Sequence, residues 1–430
     1  VRKSSWLLGL FIITALITSG CNDAVNEEKE GPPLNGKWTG TINVPGQALD
    51  IIVTLNRENE WSGTISIPIQ GVNDYPLSSV TIDGKNVAFF MEIQAQQLSF
   101  DGEYNDDVIE GSFSQQGQTF PFKLTKGGPV DENDDDFLSA ETDEGTLYGE
   151  LEKPDGNGPF PVMLIIPGSG PTDRNGNSAG IQGANNGLKM LAERLAENGI
   201  ASVRYDKRGV GKNLEASIPE DELKFEQFVT DAAAWADLLA RKELFSEIGI
   251  IGHSQGSLVG MLAAQKGNTD VFISLAGAGR PIDQVLNEQL ENQLSGESLT
   301  EAEAILEKLK AGDQVKEISQ ELQSIFRPSV QGFIASWMQY DPIEEISELD
   351  IPALLVGGGR DLQVPAHEAE LLHEANPDAE LMLIDKMNHV LKEAPEAEQG
   401  NIETYSNPDL LLAEGLMEGI MDFLSEKGFK

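Results

Sequence analysis

From residue 36 to residue 124 apolar and polar positions alternate with a period of two. The runs are short and broken by turn residues: KWTGTINV, LDIIVTLN, EWSGTISI, SSVTIDG, NVAFFMEI, QLSFDGEY, DVIEGSF and QTFPFKL. Successive side chains of a strand point to opposite faces, so this alternation predicts about eight half-buried strands. With no helical stretch between them, they read as an antiparallel meander forming a sandwich or small barrel. Trp38, Trp61, Phe89, Phe100 and Phe113 fall within these runs and are expected to fill its core rather than line a ligand pocket.

The texture changes across TKGGPVDENDDD, residues 125–136, a glycine-bearing and then acidic run that reads as a solvated linker. From residue 137 strands and helices alternate. TLYGELEKP and PVMLIIPG read as strands, GLKMLAERLAENG as an amphipathic helix, ASVRYD as a strand and FEQFVTDAAAWADLLARK as a helix. VFISLAGAG, IPALLVGGG and AELMLID are further apolar strands, and GLMEGIMDFLSEK is a closing helix. The alternation predicts an α/β domain over residues 137–430, with a mostly parallel sheet flanked by helices. Residues 281–345, from PIDQVLNEQLENQL to FIASWMQYDPIEE, are helical and separate two strands that a short crossover could join. An insertion there lies over the strand ends where ligands bind in such sheets, and reads as a lid.

The N-terminus changes the picture of where the protein works. Arg2 and Lys3 precede the apolar run WLLGLFIITALI, which ends in Thr18-Ser19-Gly20-Cys21. A basic start, a short apolar core and small residues predict an export signal over residues 1–20 rather than a spanning helix. Cys21 is the chain's one cysteine, so an intrachain disulfide is excluded. Gly-Cys at this place resembles the lipobox of bacterial lipoproteins, although Thr18 replaces the usual leucine, and it implies a lipidated Cys21. Residues 21–35 are acidic and bear Pro and Gly, as a flexible tether would. The expectation is an exported lipoprotein facing periplasm or cell exterior and touching the membrane only through its N-terminal lipid anchor. A net charge of −41, from 71 acidic and 30 basic residues, argues against nucleic acid as a partner.

Candidate chemistry centres on IGIIGHSQGSLVGMLAAQ, residues 248–265. Ile248, Ile250 and Ile251 read as a buried strand, while Leu258, Val259, Met261 and Leu262 recur at helical spacing. Between them Ser254 is flanked by Gly252 and Gly256 in a G-x-S-x-G nucleophile elbow, whose strained turn leaves no room for neighbouring side chains. A serine hydroxyl needs a base, and the base needs an acid to fix its tautomer. The chain has 4 histidines. His253 adjoins the serine and must point elsewhere. His367 and His373 fall in the amphipathic AHEAELLHEA and read as surface or packing residues. His389, in IDKMNHV just past the last strand, is the expected base. Asp361, in the turn after LLVGGG, is the expected acid. Asp385 reads as loop-shaping, and Asp341 and Asp350 flank the exit from the lid. The order Ser254, Asp361, His389 is that of α/β-hydrolases. Amide donors for the tetrahedral intermediate are expected from Gln255, after the nucleophile, and from Ser169 in PGSGPTDRNGN, where Gly168 and Gly170 give the backbone room. Many hydrolases carry His-Gly at that place; this chain carries Pro167-Gly168.

These residues resemble the α/β-hydrolase superfamily, and within it bacterial carboxylesterases with an N-terminal β domain. The shared motifs are GSGPTDRxGN at 168–177, RYDKRGxGK from Arg204 to Lys212, GHSxGS at 252–257, GxxDxQVP at 358–365 and NHxLK at 388–392. The resemblance implies serine-dependent hydrolysis of a small carboxylic ester, through an acyl-enzyme, with no metal and no cofactor. The apolar lid residues suggest short-to-medium acyl groups. Peptidases, amidases and thioesterases use the same triad, so the motif leaves them as alternatives. A non-catalytic surface binding lipoprotein on this scaffold is a further alternative, and the complete triad argues against it. In RYDKRGVGK the pair Gly209-x-Gly211 lacks the full phosphate-loop fingerprint, and Asp206 and Arg208 are expected to brace a loop near the site. Asp173 and Arg174 either touch substrate or pair with charged neighbours.

Overall fold

A computed structural model describes residues 34–429 apart from 45–46, 58–59, 68–71, 94–95, 116, 127–135, 179–182 and 292. The expected export signal and Cys21 lie outside the described residues, as does most of the acidic linker. Among the described residues no helix is long and apolar enough to cross a membrane.

The alternating segment forms one nine-stranded antiparallel sheet. Across the sheet the strands run Val72–Pro76, Trp61–Ile67, Gln47–Arg57, Gly36–Val44, Gln118–Lys126, Val108–Gln115, Gln96–Asn105, Asn86–Ile93 and Ser79–Asp83. The two end strands are consecutive in the chain, joined only through Leu77 and Ser78. The Leu77 N–H donates to the Gly63 carbonyl at 2.9 Å and the Ser78 N–H to the Phe90 carbonyl at 2.8 Å. A link this short between opposite ends of the strand order requires the sheet to roll round on itself, the barrel-like form of the expected meander. Trp38, Phe89, Phe100 and Phe113 are buried inside it, with Trp61 packed at the margin. The Phe89 and Phe100 rings stack at 4.6 Å.

The second sheet has eight strands in the order Phe137–Thr142, Gly145–Glu152, Ala201–Tyr205, Phe160–Ile166, Phe245–His253, Val271–Leu275, Ala353–Gly358 and Glu380–Ile384. The first three pair antiparallel and the rest parallel. The central strands are continuously apolar because helices cover both faces. Phe225–Ala240, Gln255–Ala264 and His367–Ala375 pack on one face; Gly187–Glu197 and Leu416–Glu426 pack on the other. Leu188, Leu191 and Leu195 show how the 3.6-residue period delivers one buried stripe. The segment expected as a lid contains Ile282–Glu291, Glu297–Lys310, Gln323–Phe326, Pro328–Trp337 and Pro342–Ser347, around a core of its own that includes Ile305, Leu309, Phe326 and Ile334.

Candidate active site

The elbow forms where the strand Phe245–His253 meets the helix Gln255–Ala264. Ser254 sits between them at φ 54 and ψ −121, a backbone state that costs a non-glycine residue about 1–3 kcal/mol. The flanking glycines have no alternative. A Cβ on Gly252 would lie 2.2 Å from the Gly256 carbonyl oxygen, and one on Gly256 would lie 2.4 Å from that of Ile166.

His389 and Asp361 meet directly. The imidazole Nδ1 and Asp361 Oδ2 are 2.8 Å apart, and both residues are buried. Asp361 Oδ1 accepts from the N–H groups of Gln363 and Val364, at 2.8 and 2.9 Å, so the carboxylate is clamped with one oxygen left for the histidine. Nδ1 therefore carries the proton, and Nε2 is left as an acceptor. Among the described residues no hydrogen bond joins the Ser254 hydroxyl to His389. Such bonds in hydrolases often tighten only when substrate is bound.

Two connections hold this arrangement and were not legible in the sequence. His253 turns away from the elbow, as expected, and its Nε2 lies 2.7 Å from the backbone carbonyl of His389. Burial, and then the neighbouring His389, pull the His253 pKa down to about 4. At neutral pH it is therefore uncharged, and Nε2–H donates to that carbonyl. Asn401 donates to the Arg360 carbonyl at 2.7 Å and accepts from Asn388 Nδ2 at 2.9 Å. It thereby ties the loop bearing Asp361 to the loop bearing His389.

The other candidates are placed elsewhere. Asp385 and Asp350 are exposed, and Asp341 caps a helix by accepting from the Ile343 N–H. His373 Nδ1 bonds the Ala379 carbonyl at 3.0 Å, and His367 stands 3.3 Å from Glu368. Arg208 forks Asp231 at 2.7 and 2.5 Å, and Asp206 takes the backbone N–H and the guanidinium of Arg174, so both brace loops. Asp173 likewise accepts from the N–H groups of Asn175 and Asn177 and shapes its own loop.

Ser169, Ser254 and Gln255 line one cleft of about 110 Å³, roofed by Trp337 and Leu286 from the inserted helices. Gly168 gives the approach its room, since a Cβ there would lie 3.3 Å from both His253 Nδ1 and Ser254 Cβ; Gly170 turns the loop at φ +75. Among the described residues of the lining Arg280 is the one that is charged, and it pairs with both Glu368 and Glu288. Glu288, His367 and Glu368 bring ligand-capable atoms within 4.8 Å of one another. Arg280 already supplies the positive charge that a metal ion would bring to those carboxylates.

A profile of the family described as "Serine aminopeptidase, S33" matches residues 180–395, half of the chain. Esterase EstD of Thermotoga maritima is 27% identical over 289 residues, which make up 66% of this chain and 66% of that protein. The chain thus spans just under two thirds of that relative's length. Among solved structures, Est1E from Butyrivibrio proteoclasticus is 18% identical, covering 68% of this chain and 99% of its own, with a TM-score of 0.45. The Pyrococcus furiosus esterase Pf2001 is 15% identical, covering 67% of this chain and 91% of its own, with a TM-score of 0.43.

Proposed function

The chain belongs to the serine aminopeptidase S33 family of α/β-hydrolases, and from that membership we propose that it is a serine carboxylesterase acting on short-to-medium acyl esters. Ser254 Oγ attacks the ester carbonyl while His389 Nε2 takes the hydroxyl proton. The N–H groups of Ser169 and Gln255 hold the oxyanion that forms. His389 returns the proton to the departing alkoxide, leaving an acyl-Ser254. Water, deprotonated by the same imidazole, attacks the acyl carbon; the bond to Oγ breaks, His389 passes the proton to Ser254 Oγ, and the acid is released. Asp361 holds the Nδ1–H tautomer and offsets the charge of the imidazolium.

The observation that carries this reading is the 2.8 Å contact between His389 and Asp361, whose clamping residues Gln363 and Val364 line the same cleft as Ser254. The cleft also favours an ester over a peptide N-terminus. An aminopeptidase must receive an ammonium group, yet among the described residues that line this cleft none is acidic and Arg280 carries the charge. Its volume suits a small acyl group. Each buried methylene adds up to about 0.8 kcal/mol of binding until the pocket is full. We expect kcat/KM on matched esters to rise over the shortest acyl chains, peak at short-to-medium length and fall for long ones, with anilides of the best acyl group far slower. A peptide or long-chain substrate preferred by about tenfold, roughly 1.4 kcal/mol of barrier, contradicts the proposal.

The place of work is proposed from the sequence alone. Cys21 is the lipidated residue of an exported protein, since it closes the apolar signal run as the chain's one cysteine. Cys21→Ser is expected to move the protein from membranes to the soluble fraction of the producing cell. An unmodified Cys21 in the intact mass of the mature protein refutes the anchor.

A further inference from the structure

Lys207 is a buried cation with no part in the proposed hydrolysis, although it lies beside the expected oxyanion donors. Lys207 follows the strand Ala201–Tyr205 and is 6% exposed. Its Nζ donates to the Gly168 carbonyl at 3.1 Å and to Gln255 Oε1 at 2.8 Å, and lies 4.1 Å from the centre of the Phe228 ring. Gln255 is one of the two expected oxyanion donors, and Gly168 immediately precedes the other, Ser169. The Gly168 carbonyl and the Ser169 N–H are the two ends of one peptide group. A charged donor on the carbonyl both fixes that group and polarises it, which makes its N–H a stronger donor. Gln255 contributes its N–H from the first turn of the elbow helix, and Lys207 pins its side chain from behind. The bond to Oε1 also sets the amide orientation, leaving Gln255 Nε2 buried without a partner among the described residues.

Among the described residues no carboxylate forms an ion pair with Lys207. Asp231, on the helix Phe225–Ala240, is already forked by Arg208. In the cavity of about 260 Å³ beside Lys207, the other charged residues are Arg208, Glu220 and Arg327, and the last two pair with each other. A buried ammonium with no carboxylate of its own is costly, and burial brings the Lys207 pKa down to about 7. A position that costs the fold this much calls for a return elsewhere.

We infer that Lys207 is a positioning residue for the oxyanion hole, its ammonium gripping the Gly168–Ser169 peptide and the Gln255 side chain so that both N–H donors meet the developing charge already aligned. The inference rests on the proposed hydrolysis at Ser254. Preorganised donors act on the transition state more than on the bound ester, so their loss falls on kcat.

Lys207→Met keeps the length and removes the donors. On a short-chain ester its kcat is expected to fall about tenfold to a hundredfold, with KM within about twofold. Affinity for a trifluoromethyl ketone, which forms a tetrahedral adduct with the serine, falls by the same factor. A purely structural lysine would instead change thermal stability and leave both quantities alone. If Lys207→Met does not fold, Gln255→Leu reads the same grip, because it removes the Oε1 acceptor and keeps the Gln255 N–H; a kcat loss of about tenfold at unchanged KM is expected. Ser254→Ala is assayed in parallel. An inactive Ser254→Ala beside a Lys207 variant with wild-type kcat and ketone affinity, or with its loss confined to KM, overturns the inference alone. A Ser254→Ala enzyme that still turns over overturns the hydrolase reading beneath it.

Discussion

At the scale of single residues, the choice between Asp361 and Asp385 shows how far side-chain chemistry reads from sequence. Both follow strands, and the turn after LLVGGG selects Asp361, whereas Asp385 lies close to His389 in sequence and reads as loop-shaping. The structure supplies the physical reason: two backbone N–H groups hold one oxygen of Asp361 and the imidazole takes the other, whereas Asp385 is exposed. An asparagine at 361 must turn its NH₂ toward either those N–H groups or Nδ1–H, so one donor–donor clash is unavoidable in the required tautomer. Asp361→Asn is expected to lower kcat about a thousandfold or more, and Asp385→Asn to leave it within about twofold. Steady-state rates on one ester check this, and the reverse ranking would move the acid to Asp385. The sequence could not disclose the parts played by His253, Asn401 and Lys207. Each acts on a partner far along the chain, and only folding brings the ring of His253 to the carbonyl of His389, or Lys207 to Gly168 and Gln255.

At the scale of elements, legibility follows burial. Strands with one buried face show the two-residue period, and the central strands of the second sheet show unbroken apolar runs, so both classes are read directly. The two strands that escape are VNDYP at Val72–Pro76 and FLSAET at Phe137–Thr142, each at one end of its sheet's strand order. Their place comes from backbone pairing to a neighbour, which carries little side-chain signal. FLSAET precedes TLYGELEKP, which is thereby paired antiparallel on both sides. The elbow is the opposite case. Its glycines are demanded by contacts of 2.2 and 2.4 Å to backbone oxygens, so the sequence pattern and the steric requirement are one fact. The short helix Glu398–Glu403 that carries Asn401 is polar throughout apart from Ile402, which is exposed, and gives no period to read.

At the scale of the whole molecule, the β domain reaches the loop that follows RYDKRG. Lys37 pairs with Glu215 at 3.3 Å, and Asp50 Oδ2 lies 3.5 Å from the Gly211 N–H. Burial, with Asp206 and Asp173 adding like charge, pushes the Asp50 pKa up to about 6, which marks a contact made against electrostatic cost rather than for it. The first residue of that loop, Val210, donates its N–H to the Lys207 carbonyl at 3.0 Å, so the accessory domain abuts the segment that carries Lys207. All of these relations assume that chemistry occurs at Ser254, and covalent trapping tests that assumption most directly. The intact chain is treated with a fluorophosphonate, digested, and mapped by mass spectrometry while residual esterase activity is followed. One adduct per chain is expected, on Ser254, formed in step with the loss of activity and absent from Ser254→Ala. An adduct on another serine, or activity surviving full modification of Ser254, would contradict it.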